Sequence, residues 1–389
     1  MKILHVIPAV AVRYGGPSQA VKEMCHALMQ RGVEIELATT NANLNSNLDV
    51  PLGEKILYRE IPTFFFPRTL KTEYKFSWSL NRWLKKNVKN YDLLHIHSIF
   101  CYPTAVAAHY ANRVKIPYII RPAGMLDRWP MKQKKIRKTL YLNWIEKKSL
   151  RGAAAIHYTS EKEKLASERF RFLSPGVVIP LGVHVDSKYG KIEKGSFRKK
   201  YPVCQDKKLV VFLSRLDPKK GLHFLIQAFS KILRIQDDVI LVIAGQGEPN
   251  YDTFVRKEAE TNLNKKVIFT GFLDDEEKYV LFKDADIFVL PSYQENFGLA
   301  VAEAMGAGLP VVVSGQVGIS PDIEKYGAGI IIKCSADSLA EGIEKLIRDP
   351  SLCQQMGQRG QQLVRERFSW DKAADQLVNL YDNILTRRI

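Results

Sequence analysis

The sequence predicts an α/β protein of two doubly wound domains, each built on a mainly parallel sheet. Three observations predict this class. The 389 residues suffice for two domains of ordinary size. Short apolar runs alternate with helical patterns through both halves of the chain. The apolar runs are continuous and do not alternate with polar residues, which is typical of parallel strands covered on both faces.

The first half opens with a βαβ pattern. Lys2–Val10 reads as a strand, a glycine-proline break follows, and Gln19–Gln30 reads as a helix that Gly32 ends. Later strands are predicted at Val33–Thr39, Leu93–His97, Tyr118–Arg121, Ala153–Tyr158 and Val177–Pro180. A signal peptide is the alternative for the first apolar run. Because Pro8 lies inside that run and only Lys2 precedes it, a buried strand is the better interpretation.

The second half repeats the alternation more regularly. Strands are predicted at Leu209–Ser214, Val239–Ala244, Val267–Thr270, Ile287–Leu290 and Pro310–Val313. Helices are predicted at Leu222–Arg234, Tyr251–Leu263, Asp275–Phe282, Leu299–Ala307 and Ser338–Ile347, and Ser351–Leu385 is helical throughout. Between the halves, Gly182–Tyr201 is basic and has no long apolar run, so we interpret it as a hinge.

Composition narrows the class of protein. The net charge of +17 suggests a polyanionic partner such as phosphates, an anionic membrane or nucleic acid. Five scattered cysteines without a Cys-x-x-Cys pair argue against a disulfide framework or a zinc site and fit a reducing cytosol. No apolar stretch reaches the roughly 18 residues that a membrane span needs.

Much of the positive charge lies in residues 131–151, here termed the basic segment. Its basic residues are Lys132, Lys134, Lys135, Arg137, Lys138, Lys147, Lys148 and Arg151, against Glu146 alone. Leu140, Tyr141, Leu142, Trp144 and Ile145 are interleaved with them. Such a helix either lies on an anionic bilayer or is a solvated helix whose aromatic stripe packs on its own domain.

The strongest chemical signal follows the predicted strand Ile287–Leu290. There Gly298 permits close backbone approach, and the helix that starts beside it offers unpaired N–H groups to a diphosphate. Glu295 precedes this helix, and Glu303 lies inside it and faces the same side. Because a carboxylate accepts hydrogen bonds from two vicinal hydroxyls, the pair could hold a hexose at one end and a ribose at the other.

A second loop, Ser214–Gly221, links a predicted strand to a helix. It carries Arg215 and Lys220, which could both reach a diphosphate and neutralise charge on a leaving group. A basic loop alone is more often solvated surface. Together with the glutamate segment, it predicts a site for a sugar nucleotide.

These residues give the chain its resemblance to the family 4 glycosyltransferases, retaining enzymes of the two-Rossmann-domain architecture GT-B. The family's Glu-x7-Glu motif matches Glu295 and Glu303, and its phosphate-binding pair matches Arg215 and Lys220. Its glycine pair after the first strand matches Gly15 and Gly16. The resemblance covers nearly the whole chain. Among the family 4 enzymes, the chain most resembles members that build polysaccharides.

The resemblance implies domain limits. It implies an acceptor domain at residues 1–185, joined by a helix at 370–389 that crosses back onto it, and a donor domain at 186–369.

The resemblance also implies roles for further residues. Donor contacts are expected from Gly245, Phe272, Asn296, Phe297, Gly298, Leu299 and Ala300, with Gly245 and Phe272 bordering the nucleobase. His97, at a strand end, matches the family histidine near the donor sugar, with a hydrogen-bonded core histidine as the alternative. We place His95 on the opposite strand face with a structural role. Arg121, Asp127 and Arg128 are acceptor-side candidates, with local salt bridges as the alternative.

Absent motifs exclude other classes. Gly245-Gln246-Gly247 lacks the third glycine of a dinucleotide fingerprint, since Asn250 stands there. Asp284-Ala285-Asp286 spells a metal-binding pattern but straddles a helix end and a buried strand, so we interpret it as structural. No Ser/His/Asp or Cys/His arrangement is readable.

The expected function is transfer of a hexose from a nucleotide diphosphate sugar to a saccharide or lipid-linked acceptor in cell-surface polysaccharide synthesis. UDP-glucose is the favoured donor, then another UDP-hexose, then GDP-mannose. No cofactor, metal or nucleic-acid partner is expected. The expected location is cytoplasmic, with peripheral contact to the inner face of the plasma membrane as a further possibility. A sugar-nucleotide epimerase or hydrolase, a non-enzymatic polyanion binder and a dinucleotide oxidoreductase are the alternatives.

Overall fold

The computed structural model describes residues 1–69, 72–132, 135–172, 174–184 and 192–386. The strands are β1 Lys2–Ala9, β2 Glu34–Thr40, β3 Ala42–Asn43, β4 Ser46–Asn47, β5 Lys55–Tyr58, β6 Ile61–Phe66, β7 Leu93–His97, β8 Tyr118–Arg121, β9 Ala155–Tyr158, β10 Gly176–Val178, β11 Lys208–Leu213, β12 Val239–Ala244, β13 Val267–Gly271, β14 Ile287–Leu290, β15 Val311–Ser314 and β16 Gly329–Ile332. The helices are α1 Gly16–Met29, α2 Trp78–Asn87, α3 Tyr102–Val114, α4 Arg128–Lys132, α5 Lys135–Tyr141, α6 Lys147–Gly152, α7 Glu161–Glu168, α8 Ser196–Lys200, α9 Leu222–Ile232, α10 Pro249–Asn262, α11 Asp275–Asp284, α12 Leu299–Gly306, α13 Ser320–Tyr326, α14 Ala336–Arg348, α15 Pro350–Arg367 and α16 Trp370–Thr386. A π-helical turn, Leu142–Glu146, joins α5 to α6.

The chain divides into two compact units. The first comprises Met1–Gly182 together with Trp370–Ile389, and the second comprises Val183–Ser369. The sequence-derived boundary at residue 185 and part of the expected hinge fall on residues 185–191, which lie outside the described residues.

The first unit is built on an eight-stranded sheet of order β10-β9-β8-β7-β1-β2-β6-β5. Its strands run parallel except at the β5–β6 pair. After β1, the chain adds β2 on one side of that strand and later adds β7 on the other side. The strand order therefore changes direction between β1 and β7. In open α/β sheets, ligands bind beside the carboxyl ends of the strands at such a switch point.

The second unit contains a six-stranded sheet of order β13-β12-β11-β14-β15-β16, in which every strand pair is parallel. The four central strands, β12, β11, β14 and β15, are buried, as expected for continuous Val/Ile/Leu runs covered on both faces, and the edge strands β13 and β16 are mostly half-buried. Here the strand order switches between β11 and β14. The second unit therefore has its own ligand-binding edge at the carboxyl ends of these two strands.

The predicted fold class is confirmed, and most predicted elements agree with the structure to within a few residues. Differences occur where local signals are weak. The sequence interpretation gave no positions for ten elements: β3, β4, β5, β6, β16, α2, α3, α7, α8 and α13. The prediction of one continuous C-terminal helix is wrong in detail. The structure has two helices, α15 and α16, separated by Phe368 and Ser369. In the described part of the chain, no helix has both the length and the apolar character that crossing a membrane requires.

Candidate functional site

In the second unit, the two loops that the sequence singled out lie against each other. The strands β11 and β14 are hydrogen-bonded neighbours, so the loop after each begins at the same sheet edge. The Tyr293 N–H donates to the Lys219 carbonyl over 2.8 Å. Gly221 has φ +72°, and a Cβ there would stand 2.3 Å from the Pro291 carbonyl oxygen. Glycine is therefore needed for the loops to approach this closely.

The predicted cation and carboxylate are paired across these loops. The Lys220 amine donates to the Glu295 carboxylate. The Lys220 side chain is only 7% exposed and that of Glu295 is 22% exposed. This pairing fixes both groups at the sheet edge and leaves part of the Glu295 carboxylate accessible to a ligand.

Arg215 occupies the same edge in a different environment. Its side chain is exposed, and in the described part of the chain no acidic group pairs with it. Its backbone is held because the Leu216 N–H donates to the Gln246 carbonyl over 3.0 Å. Burial, followed by the charges of Lys220 and Arg215, lowers the pKa of the neighbouring Lys219. The edge thus concentrates positive charge with one guanidinium open to an anion.

The start of α12 adds backbone donors to this edge. Gly298 caps the helix in the left-handed conformation at φ +98°. Its carbonyl accepts the N–H groups of Val301 and Ala302. The N–H groups of Leu299 and Ala300 come at the first two helical positions, where no intrahelical acceptor exists, and both residues are half-buried. Such a helix start favours an anion.

Glu303 is held by a partner that the sequence analysis missed. Its carboxylate lies 2.7 Å from the amine of Lys278, on α11, and both side chains are 11% exposed. Burial opposes the charged form of Lys278, but the Glu303 charge outweighs it and raises the pKa of that amine. Glu303 is therefore a partly accessible carboxylate that its ion pair with Lys278 holds in a fixed position.

The remaining donor-side candidates differ in role. Phe272 is 52% exposed just beyond β13. Gly245 has φ +134°, and a Cβ there would stand 1.9 Å from the Ser214 carbonyl oxygen. Asn296 lies half-buried in the loop after β14. The expectation for Phe297 needs correction, because its ring is 3% exposed and packs edge-on against Phe368 with centroids 5.3 Å apart. Its side chain therefore packs within the second unit and is not open to a ligand.

In the first unit, His97 belongs to a buried group of four histidines here termed the histidine cluster. His5 on β1, His95 and His97 on β7 and His157 on β9 are at most 1% exposed. The placement of His95 on the opposite strand face is wrong, since its ring centroid lies 4.3 Å from that of His97. Residues two apart on a strand share a face.

Hydrogen bonds order the histidine cluster. His5 Nδ1 lies 2.9 Å from His97 Nε2, and His95 Nδ1 lies 2.7 Å from the Tyr381 hydroxyl of α16. His157 Nδ1 lies 3.2 Å from His95 Nε2. Within the described residues, His97 Nδ1 and His5 Nε2 have no hydrogen-bond partner. The unpartnered nitrogen of His97 is itself buried, which fits the hydrogen-bonded core histidine that the sequence analysis gave as the alternative.

Burial keeps these imidazoles neutral. It lowers the pKa of His5 and of His157 to about 3, with the charge of Arg121 adding to the effect. Burial likewise lowers the pKa of His95 and His97 well below its ordinary value. At neutral pH the cluster therefore offers uncharged donors and acceptors.

Arg121 was expected to contact the acceptor, which requires an accessible side chain, but the structure places this side chain in the interior. Its side chain is 2% exposed, and burial lowers its pKa to about 10. It lies beside His97 in strand register and faces the interior of the first unit. Asp127 is half-buried and Arg128 exposed in the turn after β8, so these two stay accessible at the strand edge.

The spacing of three histidines invites a test for metal binding. One nitrogen each of His5, His95 and His97 lies within 4.8 Å of the others. The buried charge of Arg121 acts on all three imidazoles, and it would equally repel a divalent cation. This trio contains no carboxylate to offset that repulsion. The residues fit a neutral hydrogen-bonding cluster better than a metal centre.

The glycine pair after β1 lies at the same switch point as β7. Gly15 has φ +73° and caps α1, and Gly16 is exposed, with no atom within 4 Å of the point where a Cβ would stand. The start of α1 is thus open above the sheet edge that carries His97. Most of the predicted residues follow the carboxyl ends of strands in their own unit, but the ring of Phe297 and the side chains of His97 and Arg121 are buried.

Comparison with known proteins matches both halves of the chain. The model "Glycosyl transferase 4-like domain" matches residues 15–182, and the model "Glycosyl transferases group 1" matches residues 193–363. An uncharacterized glycosyltransferase of Methanocaldococcus jannaschii is 28% identical over 390 residues, covering 94% of each chain. The N-acetyl-alpha-D-glucosaminyl L-malate synthase of Bacillus anthracis is 24% identical over 95% of this chain and 94% of its own.

A solved structure shares the fold. The Anabaena HepE protein in complex with UDP-glucose superposes with a TM-score of 0.76 over 98% of this chain and 100% of its own, at 19% identity.

Proposed function

Since this chain belongs to the glycosyltransferases of the GT-B type, we propose that it transfers a hexose from a nucleotide diphosphate sugar, with retention of configuration and without a metal ion, to a saccharide or lipid-linked acceptor. The process served is synthesis of a cell-surface polysaccharide.

One observation carries this proposal. At the switch-point edge of the second unit, the Lys220–Glu295 pair lies beside the exposed Arg215 and the open start of α12. A diphosphate needs cations and N–H donors, and a hexose needs a fixed carboxylate. The edge offers each of these groups over a short stretch of surface.

The proposed roles follow from the environment of each group. Arg215, Lys220 and the N–H groups of Leu299 and Ala300 stabilise the charge that builds on the departing diphosphate. Preorganised donors of this kind are effective because they need no reorganisation during the reaction.

The sugars are oriented by carboxylates. Glu295 orients the hexose, and Glu303 holds the ribose hydroxyls. Because Lys220 already engages the Glu295 carboxylate, that group is suited to orient a sugar and poorly suited to attack it. Phe272 and the backbone at Gly245 border the nucleobase.

Retention is then achieved by displacement on one face. The acceptor hydroxyl attacks the anomeric carbon from the side that the diphosphate leaves, and the bond from that carbon to the phosphate oxygen breaks. A phosphate oxygen takes the hydroxyl proton, so no protein nucleophile is required. The work of the protein is positioning and charge stabilisation.

The basic segment supports an acceptor at the cytosolic face of a membrane. Trp144 is 82% exposed, Ile136 is 79% exposed and Leu140 is 54% exposed, and exposed lysines and arginines surround them. Tyr141 instead turns inward, with its hydroxyl 2.9 Å from that of Tyr74. Exposed apolar side chains among cations suit an anionic bilayer, and a lipid-linked acceptor would be presented there. Lys134 of this segment lies outside the described residues.

A donor screen tests the proposal. Nucleotide release is measured with UDP-glucose, other UDP-hexoses and GDP-mannose, with and without octyl glycosides as acceptors and with EDTA present throughout. We expect release with UDP-glucose first, stimulated by an acceptor, and an α-linked product by NMR. Indifference to every donor, or release of free sugar that no acceptor diverts, would refute a transferase.

A further inference from the structure

Two loops at the carboxyl edge of the first unit hold strained backbone. The loop after β7, residues 98–101, contains Ser98 at φ +81° and Phe100 at φ +60°. The loop after β8, residues 122–127, contains Ala123 at φ +54°. For residues other than glycine, such conformations are unfavourable and persist only where the surroundings enforce them.

Glu146 enforces the first loop. Its side chain is 1% exposed, and Oε1 accepts the Phe100 N–H over 2.6 Å. Burial raises the pKa of Glu146 to about 7. In the described part of the chain no cation pairs with it. A buried carboxyl without a cation is costly, so its retention beneath a strained loop requires an explanation.

Glu163 enforces the second loop in the same way. Its side chain is 2% exposed, and Oε1 accepts the Gly124 N–H over 2.6 Å. Its Oε2 accepts the N–H of Thr159 over 2.8 Å and the Thr159 hydroxyl over 3.0 Å. This carboxyl therefore ties the loop after β8 to the end of β9.

The two loops are also joined to each other and flank the predicted site. The Ser98 hydroxyl donates to the Met125 sulfur over 2.9 Å. The first loop directly follows His97, and the second ends at Asp127, beside Arg128. Residues with strained backbone conformations are often found at ligand-binding sites, where the backbone must keep one geometry.

We propose that Glu146 and Glu163 are positioning residues that hold these two loops in the shape that binds the acceptor saccharide. This inference rests on the proposed function and adds the surface on which the acceptor lies. Neither carboxyl contacts substrate. Each acts through the backbone N–H that it fixes, so its loss affects acceptor binding and spares donor chemistry.

The test compares two substitutions at one position. Glu146→Gln keeps an amide oxygen that can accept the Phe100 N–H, whereas Glu146→Met fills the space and leaves that N–H unpaired. The probes are UDP-glucose, or whichever donor the screen selects, and a panel of octyl glucoside, galactoside and mannoside. Measured quantities are the acceptor KM, kcat, and the slow release of nucleotide to water without acceptor.

We expect Glu146→Met to raise the acceptor KM about tenfold, the effect of one lost hydrogen bond, with nucleotide release to water within about twofold of the unsubstituted protein. Glu146→Gln keeps a nearly unchanged KM. Hydrogen exchange at the Phe100 amide accelerates in Glu146→Met. An unchanged acceptor KM and unchanged exchange at Phe100 would overturn the inference.

A second position keeps the test informative if Glu146→Met unfolds. Glu163→Gln must leave either the Gly124 or the Thr159 N–H without its acceptor, and we expect a raised acceptor KM there too. Glu161→Gln on the exposed start of α7 is the matched control for lost charge. An equal loss of nucleotide release and acceptor transfer in Glu163→Gln would indicate a merely structural role. Absence of turnover by the unsubstituted protein would instead contradict the proposed function itself.

Discussion

Arg215 and Lys220 stand on one loop in opposite environments. Lys220 is buried and paired with Glu295, so its position is fixed before any ligand arrives. Arg215 is exposed and has no acidic partner in the described residues, so its charge is free to meet an anion. At the scale of single residues, Lys220 therefore has a fixed position in the site, whereas Arg215 can move to contact a bound anion.

Arg215→Ala tests the second role. We expect kcat to fall roughly 10²–10³-fold, by analogy with the loss of one preorganised oxyanion donor, while the fold is unaffected because the side chain is exposed. Turnover is followed by nucleotide release, and folding by thermal unfolding. Arg234→Ala, exposed beyond the far end of α9, is the control for lost charge. Near-normal turnover in Arg215→Ala would remove this residue from the mechanism.

Lys278 and Glu303 permit a test that separates stability from binding. Lys278→Met leaves a buried carboxylate without its cation, which costs about 3–5 kcal/mol in the free energy of unfolding. Lys278→Met combined with Glu303→Leu removes both charges, and we expect much of that stability to return. Nucleotide affinity, measured by calorimetry, should stay low in the double variant because the ribose has lost Glu303. Full affinity in the double variant would exclude that role for Glu303.

The sequence predicts individual site residues where they belong to a recognisable motif. It does not predict the residues with which they form ion pairs. Glu303 follows from its spacing to Glu295, but Lys278 lies on another helix and no pattern marks it. Arg121 and Phe297 were expected to contact ligands, but both side chains are buried. A position at a strand end or in a loop does not reveal whether a side chain points inward. The position of His95 does follow from the sequence, because the two-residue period of a strand puts it on the same face as His97.

Strand order is what brings the motifs together at the scale of elements. The loop 214–221 and the loop 291–298 are far apart in sequence, but they follow adjacent parallel strands, β11 and β14. The loop after β11 is also hydrogen-bonded to the loop after β12 at Gln246. A backbone change at this edge should therefore move the position of Arg215.

Gly245→Ala tests this dependence. A Cβ at residue 245 would stand 1.9 Å from the Ser214 carbonyl oxygen, in a backbone conformation that alanine rarely adopts. We expect the loop after β11 to shift, the free energy of unfolding to fall by about 1–3 kcal/mol, and turnover to fall with it. Gly315→Ala is the matched control, since its Cβ would make an ordinary contact of 3.7 Å with Ile331. Equal melting temperatures and turnover for the two variants would contradict this role of the edge.

Elements with long apolar runs could be predicted closely, and short or mixed ones could not. The limits of β7, β8, β12 and β14 agree with the sequence analysis at both ends. Pro62 and a polar residue interrupt the run that forms β6, and β16 has only four residues beginning with glycine. Their strand conformation depends on pairing with neighbours that are distant in sequence, which local patterns do not contain.

Buried ionisable groups set the behaviour of the whole molecule towards acid. Four histidines in the first unit have pKa values lowered by burial, so below pH 6.5 the unfolded chain binds more protons than the folded one. Glu146 and Glu163 act in the opposite direction, because burial raises their pKa values and the folded chain holds their protons longer as pH rises. The histidines outnumber these carboxyls, so acid destabilises the molecule.

Thermal unfolding between pH 8 and pH 5 measures this effect. We expect stability to fall below pH 6.5, because unfolding lets the histidines take up protons, and each proton taken up is equivalent to roughly 1.4 kcal/mol per pH unit. His157→Asn removes one such group and should reduce the slope by about one proton. A melting temperature that stays constant from pH 7 to pH 5 would contradict the neutral histidine cluster.

The central claim is that a diphosphate binds at the carboxyl edge of β11 and β14. A crystal structure with bound nucleotide, UDP or GDP according to which raises the melting temperature more, tests it most directly. We expect the phosphates within hydrogen-bonding distance of Arg215, Lys220 and the N–H groups of Leu299 and Ala300. A nucleotide bound elsewhere, such as on the basic segment, with this edge left unoccupied, would contradict the claim.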